Sequence, residues 1–166
     1  MAFRPETAEP LNQLAEVLLR GDSTLSRGER ELIATYVSEG NECYFCTNAH
    51  AAFAKLQLED GQAVVDAVRA DVQTAPISPK LKTLLAIADK VRVSGQSVTD
   101  ADVEAARREG ATDIEIHDTV LIAAAFCMFN RYVDGLATWA PTDQAAYEAN
   151  GERIVANGYV GSVPGR

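Results

Sequence analysis

Apolar residues recur along this chain at the spacing of a helix rather than that of a strand. In the first patterned segment, residues 8–19, Leu11, Leu14, Ala15 and Leu18 fall three or four positions apart. That interval places side chains on one face of an α-helix. Later segments repeat it, and the alternation typical of half-buried strands is weak throughout. The pattern predicts an all-α fold.

Start and stop signals divide the pattern into separate helices. Ser26 and Glu29 form a capping box, and Ser78 followed by Pro79 combines an N-cap with a residue favoured at the first helical position. A second capping box, formed by Thr112 and Glu115, opens a long helix. The predicted helices cover residues 8–19, 26–40, 41–56, a segment from 60, a segment from 79, 99–110 and 112–136.

The helix that ends near residue 136 is apolar nearly all round between Val120 and Phe129. It therefore needs neighbours on every side, from this chain or from another subunit. The apolar run is too short to cross a bilayer, so no membrane segment is expected. The tail, about residues 151–166, is weakly patterned, and two readings stay open: it is loose, or it packs on a partner chain.

Composition adds the expected size and surroundings of the protein. The chain has 166 residues, of which 47% are hydrophobic and 23% charged, and this predicts one domain over residues 1–166. A net charge of -9, spread along the chain, leaves no basic face for nucleic acid. The N-terminus, Met1–Glu6, has no apolar core of the signal-peptide kind, so a cytoplasmic protein is expected.

Two of the three cysteines stand close together in the run from Asn41 to His50, as Cys43 and Cys46. In the reducing cytoplasm such a pair indicates redox or metal chemistry rather than a structural disulfide. The third, Cys127, lies in an apolar run and is predicted to be a buried small hydrophobe. The thiol pair is therefore the candidate site.

Helical spacing gives each thiol of the pair its own source of activation. His50 follows Cys46 by four residues, so the two side chains can touch on one helix face. Asn41 is predicted to be the N-cap, which puts Cys43 in the first turn, where the helix dipole favours a thiolate. Many redox pairs use the first cysteine as nucleophile, so the order of attack stays open; we expect Cys46, because His50 reaches it.

Glu31 lies on the preceding predicted helix, which ends next to the thiol helix. A carboxylate there either orients His50 or takes a proton through water, and the alternative is a solvated surface charge. His117, the other histidine, is predicted to be a surface residue. The motif region therefore spans residues 31–50, with Glu31, Cys43, Cys46 and His50 as candidate catalytic residues.

These four residues, with their spacing, resemble the alkylhydroperoxidase D family, also called the carboxymuconolactone decarboxylase-like family, whose thiol members share Glu-x(11)-Cys-x-x-Cys-x-x-x-His. A second segment, Asn130-Arg131-x-x-Asp134, resembles the branch of that family labelled peroxidase-related. The resemblance implies a compact helical bundle that assembles into dimers, trimers or hexamers. It covers the chain from about Leu11 to Gly135.

The resemblance also implies an enzyme, a peroxiredoxin-type alkylhydroperoxidase that acts on small hydroperoxides. Cys46 is then the attacking thiolate, deprotonated by His50 with Glu31 behind it, and becomes a sulfenic acid that Cys43 resolves to a disulfide. An external dithiol or lipoyl-type reductant recycles the disulfide. No haem, flavin or other cofactor is implied.

One departure from the family pattern keeps two alternatives open. The best-known peroxidase members carry a second histidine immediately before the later cysteine, where this chain has Phe45. A non-catalytic, oligomeric member of the family is one alternative. The other is a metal-binding protein with Cys43, Cys46 and His50 as ligands and Glu31 as a fourth. The decarboxylase members lack the cysteine pair, which argues against a lactone decarboxylase.

Overall fold

The computed structural model describes residues 4–161, and within them it contains helices and turns but no strand. The all-α prediction is confirmed. The helices are α1 (Pro5–Arg20), α2 (Arg27–Gly40), α3 (Tyr44–Lys55), α4 (Gly61–Ala70), α5 (Pro79–Val93), α6 (Asp100–Arg108), α7 (Asp113–Gly135) and α8 (Gln144–Asn157), with a short 3₁₀ turn at Gly95–Ser97.

Helix starts follow the local signals in the sequence. Ser26 accepts a hydrogen bond from the Glu29 N–H, and the Glu29 side chain accepts one from the Ser26 N–H. Ser78 caps α5 through the Leu81 N–H, with Pro79 at the first helical position. These contacts satisfy backbone donors that have no partner within the helix. The predicted caps of α2 and α5 are therefore confirmed.

Helix α2 lies in the middle of the bundle, in contact with α1, α3, α4, α5 and α7. Its side chains Leu32, Ile33 and Val37 are fully buried and belong to the main hydrophobic core. α5 and α7 add further large members of that core, including Leu84 and Phe126. Since α3 packs along α2 as well, the candidate site is built on the best-buried helix of the fold.

The turn between α2 and α3 is short and tightly bonded. The Cys43 N–H donates to the Ser38 carbonyl at 3.0 Å, and the Glu42 N–H donates to the Glu39 carbonyl at 2.9 Å. Glu42 adopts a left-handed conformation, with φ at 60°. This is the hydrogen-bond pattern of a Schellman motif, which ends one helix and redirects the chain at once.

Asn41 does not have the predicted position at the start of α3. It is the C-cap of α2, and the N-cap of α3 is Cys43, with no side-chain cap bond. The Schellman turn places the N-cap of α3 two residues later than predicted, at Cys43 instead of Asn41. Cys43 therefore lies at the helix boundary and not inside the first turn.

The weakly patterned end of the chain forms a helix within this chain. α8 packs against α3 in a second hydrophobic cluster that includes Phe53, Tyr147 and Ile154. Gly151 allows close approach, because a Cβ there would lie 2.9 Å from the Leu56 side chain. The reading of the tail as loose is therefore wrong for residues 151–157, which belong to α8, while packing of the tail on a partner chain stays a prediction. Residues 1–3 and 162–166, the ends of the predicted domain, lie outside the described residues.

Helix α7 contacts α1, α2, α3, α5 and α6 but keeps one apolar face uncovered. The exposed side chains on it are Leu121, Met128 and Tyr132, and they continue into Leu136. The neighbours that the sequence demanded on every side are thus supplied only in part by this chain. No helix among residues 4–161 is long and apolar enough to cross a membrane.

Candidate thiol site

Cys43 and Cys46 meet at the start of α3. Cys43 is the N-cap and Cys46 the third helical residue, and both thiols are free and buried, with exposures of 0% and 4%. Each thiol shifts the pKa of the other: Cys46 raises the pKa of Cys43, and Cys43 lowers that of Cys46. The two thiols therefore interact at the helix start.

The two thiols differ in what surrounds them. Burial raises the pKa of Cys43 far above the ordinary thiol value, and the Asp134 carboxylate beside it adds to that rise. Burial also raises the pKa of Cys46, but hydrogen bonds from Cys43 and Asn130 oppose the rise. The Cys46 backbone N–H at the helix start lowers the pKa of Cys43, as predicted, but burial outweighs this effect. Of the two, Cys46 is the better placed to carry a thiolate.

His50 and Glu31 form a close buried pair. His50 Nδ1 lies 2.7 Å from Glu31 Oε2, and the Glu31 side chain is only 1% exposed. A carboxylate at this distance accepts a hydrogen bond from Nδ1–H, which leaves Nε2 as the basic nitrogen of the imidazole. Glu31 is thus a buried partner of His50, and the alternative of a solvated surface charge is wrong.

Aromatic rings hold the imidazole in place. The His50 ring packs edge-on against Phe126 and Phe53, with centroids 4.6 and 5.2 Å apart, and lies nearly parallel to Tyr159 at 6.4 Å. Cys46 precedes His50 by one helical turn on the same helix, α3. The structure therefore brings Glu31 and His50 together beside the turn that carries the thiol pair.

Tyr159 is a member of the site that the sequence reading missed. Its hydroxyl donates a hydrogen bond to Glu31 Oε1 at 2.6 Å, so each oxygen of this carboxylate has its own partner. Tyr159 lies 128 positions from Glu31 in a segment with little pattern, and no local signal links the two. Its position here depends on the packing of α8 on α3 and on a hydrogen bond from its backbone N–H to Glu16 of α1.

The second sequence segment also reaches the thiols. Asn130, buried on α7, donates to Ser38 Oγ at 3.0 Å and accepts from Asn41 Nδ2 at 2.9 Å, and its side chain lowers the pKa of Cys46. Asp134, one turn later, lies beside Cys43. The segment was noted as a likeness only, and its spacing of four on a helix was the signal that these two side chains share a face.

Three other residues complete the comparison with the sequence reading. Phe45 packs against Tyr147 of α8, with ring centroids 6.0 Å apart. Cys127 is only half-buried. Its Sγ faces two polar groups, Asn41 Nδ2 at 3.6 Å and the Arg92 carbonyl at 3.8 Å. The prediction of a buried Cys127 is corrected accordingly. The side chain of His117 is 70% exposed, as predicted.

The metal-binding alternative finds no support in the geometry. Among residues 4–161, no group of three or more histidine, cysteine, aspartate or glutamate side chains is arranged to hold a metal ion. Glu31 is occupied by His50 and Tyr159. Two of the candidate ligands, Glu31 and His50, are therefore hydrogen-bonded to each other.

Comparison with known proteins agrees with the geometry. The model of the carboxymuconolactone decarboxylase family matches residues 5–90, more than half of the chain. None of the curated proteins searched matches.

Two solved structures show how far the likeness extends. A peroxidase-related protein from Ralstonia eutropha JMP134, described as an alkylhydroperoxidase AhpD core, is 30% identical, with a TM-score of 0.81 over 90% of this chain and 77% of that one. A peroxidase-related protein from Silicibacter sp. TM1040 is 28% identical, with a TM-score of 0.79 over 89% and 75%. This chain therefore belongs to the carboxymuconolactone decarboxylase family and has the alkylhydroperoxidase D fold.

Proposed function

We propose that this protein is a thiol-dependent peroxidase and disulfide oxidoreductase that reduces small hydroperoxides with Cys46 as nucleophile. The observation that carries the proposal is the buried pair of Glu31 and His50, 2.7 Å apart, one helical turn from the Cys46 thiol. A nucleophile, a base and a group that orients the base are the parts such chemistry needs.

The first step oxidises Cys46. His50 Nε2 takes the proton of the Cys46 thiol. The thiolate then attacks the terminal (hydroxyl) oxygen of the hydroperoxide, which breaks the O–O bond. Sulfur keeps one oxygen as a sulfenic acid, and the other leaves as an alkoxide that takes the proton back from His50. Glu31 stabilises the imidazolium between these two transfers. One hydroperoxide is thereby reduced to one alcohol.

The second step forms the disulfide. The Cys43 sulfur attacks the sulfenic sulfur, and the hydroxyl leaves as water with the Cys43 proton. Asp134, beside Cys43, is the carboxylate that can receive this proton in passing. An external dithiol, from a protein or a lipoyl group, then exchanges with the disulfide: two thiols are restored here and the donor is left oxidised.

The assignment of Cys46 over Cys43 is supported by their neighbours. Asp134 disfavours negative charge on both sulfurs, but Cys43 and Asn130 both lower the pKa of Cys46, whereas only the Cys46 backbone N–H lowers that of Cys43. Both sulfurs are buried, which favours small hydroperoxides over bulky ones.

The uncovered apolar face of α7 supports assembly into a homo-oligomer. Leu121, Met128 and Tyr132 leave on this helix the kind of surface that subunits bury. A dimer, trimer or hexamer in the cytoplasm, where reductants keep the thiols cycling, fits the proposed chemistry. Sedimentation of the purified protein measures the subunit number.

Single thiol variants test the mechanism. Cys46→Ser should abolish peroxide consumption and the trapping of sulfenic acid by a dimedone-type reagent. Cys43→Ser should leave a trappable sulfenic acid on Cys46 but stop turnover, because nothing resolves it. Cys127→Ser is the matched control and should behave as the wild type. Mass spectrometry of each labelled variant locates the adduct.

The same samples separate the alternatives. A label on Cys43 in Cys46→Ser, with none on Cys46 in Cys43→Ser, would reverse the roles of the two thiols. A disulfide that joins Cys127 to either of them would remove the redox pair from the proposal. Stoichiometric zinc, with thermal stability lost on chelation, would favour the metal-binding protein. A metal-free protein with no peroxide reaction under any dithiol donor would favour the non-catalytic one.

A further inference from the structure

Both oxygens of Glu31 are satisfied by side chains, and one partner comes from the far end of the chain. Oε2 faces His50 Nδ1 at 2.7 Å, and Oε1 accepts a hydrogen bond from the Tyr159 hydroxyl at 2.6 Å. Two short bonds on opposite oxygens fix the plane of a carboxylate. The orientation of Glu31 toward His50 therefore depends on both.

Tyr159 is itself held by α1. Its backbone N–H donates to Glu16 Oε2 at 2.6 Å, while Glu16 Oε1 pairs with Arg20 at 3.1 Å. Arg20 also donates to the Val155 carbonyl on α8 at 3.2 Å. Gly158 makes this approach feasible, because a Cβ there would lie 2.5 Å from Glu16 Oε2 and because its φ is 74°. These contacts with Glu16 and Arg20 of α1 hold the segment that places the Tyr159 phenol beside Glu31.

Toward Glu31, the Tyr159 hydroxyl acts only as a hydrogen-bond donor. Burial, reinforced by the charge of Glu31, raises the pKa of Tyr159 well above its ordinary value, so the phenol stays protonated and donates. The donor on Oε1 leaves Oε2 as the acceptor for His50 Nδ1–H. The lone pair of His50 then lies on Nε2.

We propose that Tyr159 is a positioning residue of the thiol site, which fixes Glu31 and, through it, the tautomer of His50 that keeps Nε2 free to take a proton. The inference rests on the proposed function only in naming the Cys46 thiol as the group that His50 deprotonates. The alternative is a packing role for the Tyr159 ring, which contacts Phe53 and His50.

Tyr159→Phe separates these roles, since it removes the hydroxyl and keeps the ring. Tyr147→Phe is the matched control: Tyr147 is also buried beside α3, but its hydroxyl donates to the Pro141 carbonyl and not to Glu31. Circular dichroism checks that both variants fold. The chain has two histidines, so imidazole ¹⁵N and ¹H signals of His50 are read beside those of exposed His117.

In the wild type and in Tyr147→Phe, we expect His50 to be the Nδ1–H tautomer with a slowly exchanging Nδ1 proton. In Tyr159→Phe that proton should exchange with water about ten times faster, the factor that corresponds to losing one hydrogen bond to a charged group. Peroxide-driven sulfenic acid formation, measured in the Cys43→Ser background, should slow by a similar factor. Unchanged exchange in Tyr159→Phe would overturn the inference.

A second measurement uses the wild-type protein alone, in case Tyr159→Phe does not fold. The Tyr159 hydroxyl proton should exchange much more slowly than that of exposed Tyr44; equal rates would contradict the inference. The two proposals fail separately. If Cys46 does not react with peroxide, the proposed function fails while the His50 tautomer still tests Tyr159. If Cys46 reacts and His50 is insensitive to Tyr159→Phe, only the role of Tyr159 is lost.

Discussion

Helices α3 and α7 begin with side chains at the same two positions, the N-cap and the third helical residue. At α7 these are Thr112 and Glu115, which bond reciprocally to the backbone N–H groups of each other. At α3 they are Cys43 and Cys46, and neither side chain caps the helix. The spacing that stabilises a helix start in α7 instead holds two sulfurs face to face in α3.

The carboxylates linked to these starts differ in the same way. Glu115 and Glu31 are both 1% exposed. Glu115 forms an ion pair with Lys80 at 2.7 Å, whereas Glu31 pairs with an imidazole and a phenol. A permanent cation makes a structural ion pair, and an imidazole makes a pair through which a proton can be exchanged. Burial alone does not distinguish the two; the partner does.

The largest expected effect tests the chemical side of this contrast. In Glu31→Gln, the amide NH₂ donates to His50 Nδ1 and moves the imidazole proton to Nε2. The base is then lost, and sulfenic acid formation on Cys46 should slow about a hundredfold or more. Stopped-flow mixing with hydroperoxide measures the rate. Glu115→Gln is the control and should stay within about twofold of the wild type; equal losses in both variants would erase the distinction.

The structural side predicts a loss of stability in Glu115→Gln. Its free energy of unfolding, from urea titration, should fall by about 2 kcal/mol at neutral pH, a value moderated by the partial exposure of Lys80. Exposed Glu109→Gln should change it by less than about 0.5 kcal/mol.

The loss in Glu115→Gln should depend on pH. Burial alone would raise the pKa of Glu115, but hydrogen bonds from Lys80 and the Thr112 N–H outweigh it and lower the pKa below its ordinary 4.5. The stabilisation is therefore complete above pH 4.5 and is lost as the pH falls through the lower pKa of the folded state. A wild-type advantage that grows in acid would refute the ion pair.

The smallest effect comes from exchanging the caps themselves. Thr112→Cys removes a preferred N-cap and should lower the free energy of unfolding by about 1 kcal/mol. Cys43→Ser supplies one to α3, where the hydroxyl can accept from the Cys46 N–H, and should raise it by about 0.5 kcal/mol. Thermal unfolding of the two variants gives the comparison. A stabilised Thr112→Cys would mean that the spacing carries no cap energy at α7.

Sequence patterns predicted the parts of this molecule that depend on near neighbours. The caps at Ser26, Ser78 and Thr112 need only residues within four positions, so they could be read directly. The start of α3 was misread because Asn41 is a common N-cap, and only the bonded turn at Glu42 shows that it ends α2 instead.

Parts that depend on distant contacts could not be read in this way. α8 carries few large apolar residues, and its helix is stabilised by packing of Tyr147 and Ile154 on α3. Tyr159 follows from that packing. Asn130 and Asp134 were visible as a pattern, but their approach to the thiols depends on how α7 crosses α2 and α3. Helix caps can be predicted from neighbouring residues, whereas contacts between distant residues can be seen only in the folded structure.

The contact between Tyr159 and Glu31 also bears on the order in which the chain folds. Cys43, Cys46 and His50 lie close in sequence to Glu31, so α2 and α3 can pair early and bring these four groups together. The 128-residue separation to Tyr159 demands the closure of a far longer loop, which carries a higher entropic cost. We therefore expect a folding intermediate in which α2 and α3 are paired but the contact between Tyr159 and Glu31 has not formed. Pulse-labelled hydrogen exchange would detect it as protection of α3 ahead of α8. A partly folded chain would have Cys43 and Cys46 in place, but the Tyr159 contact that helps to position His50 would still be missing.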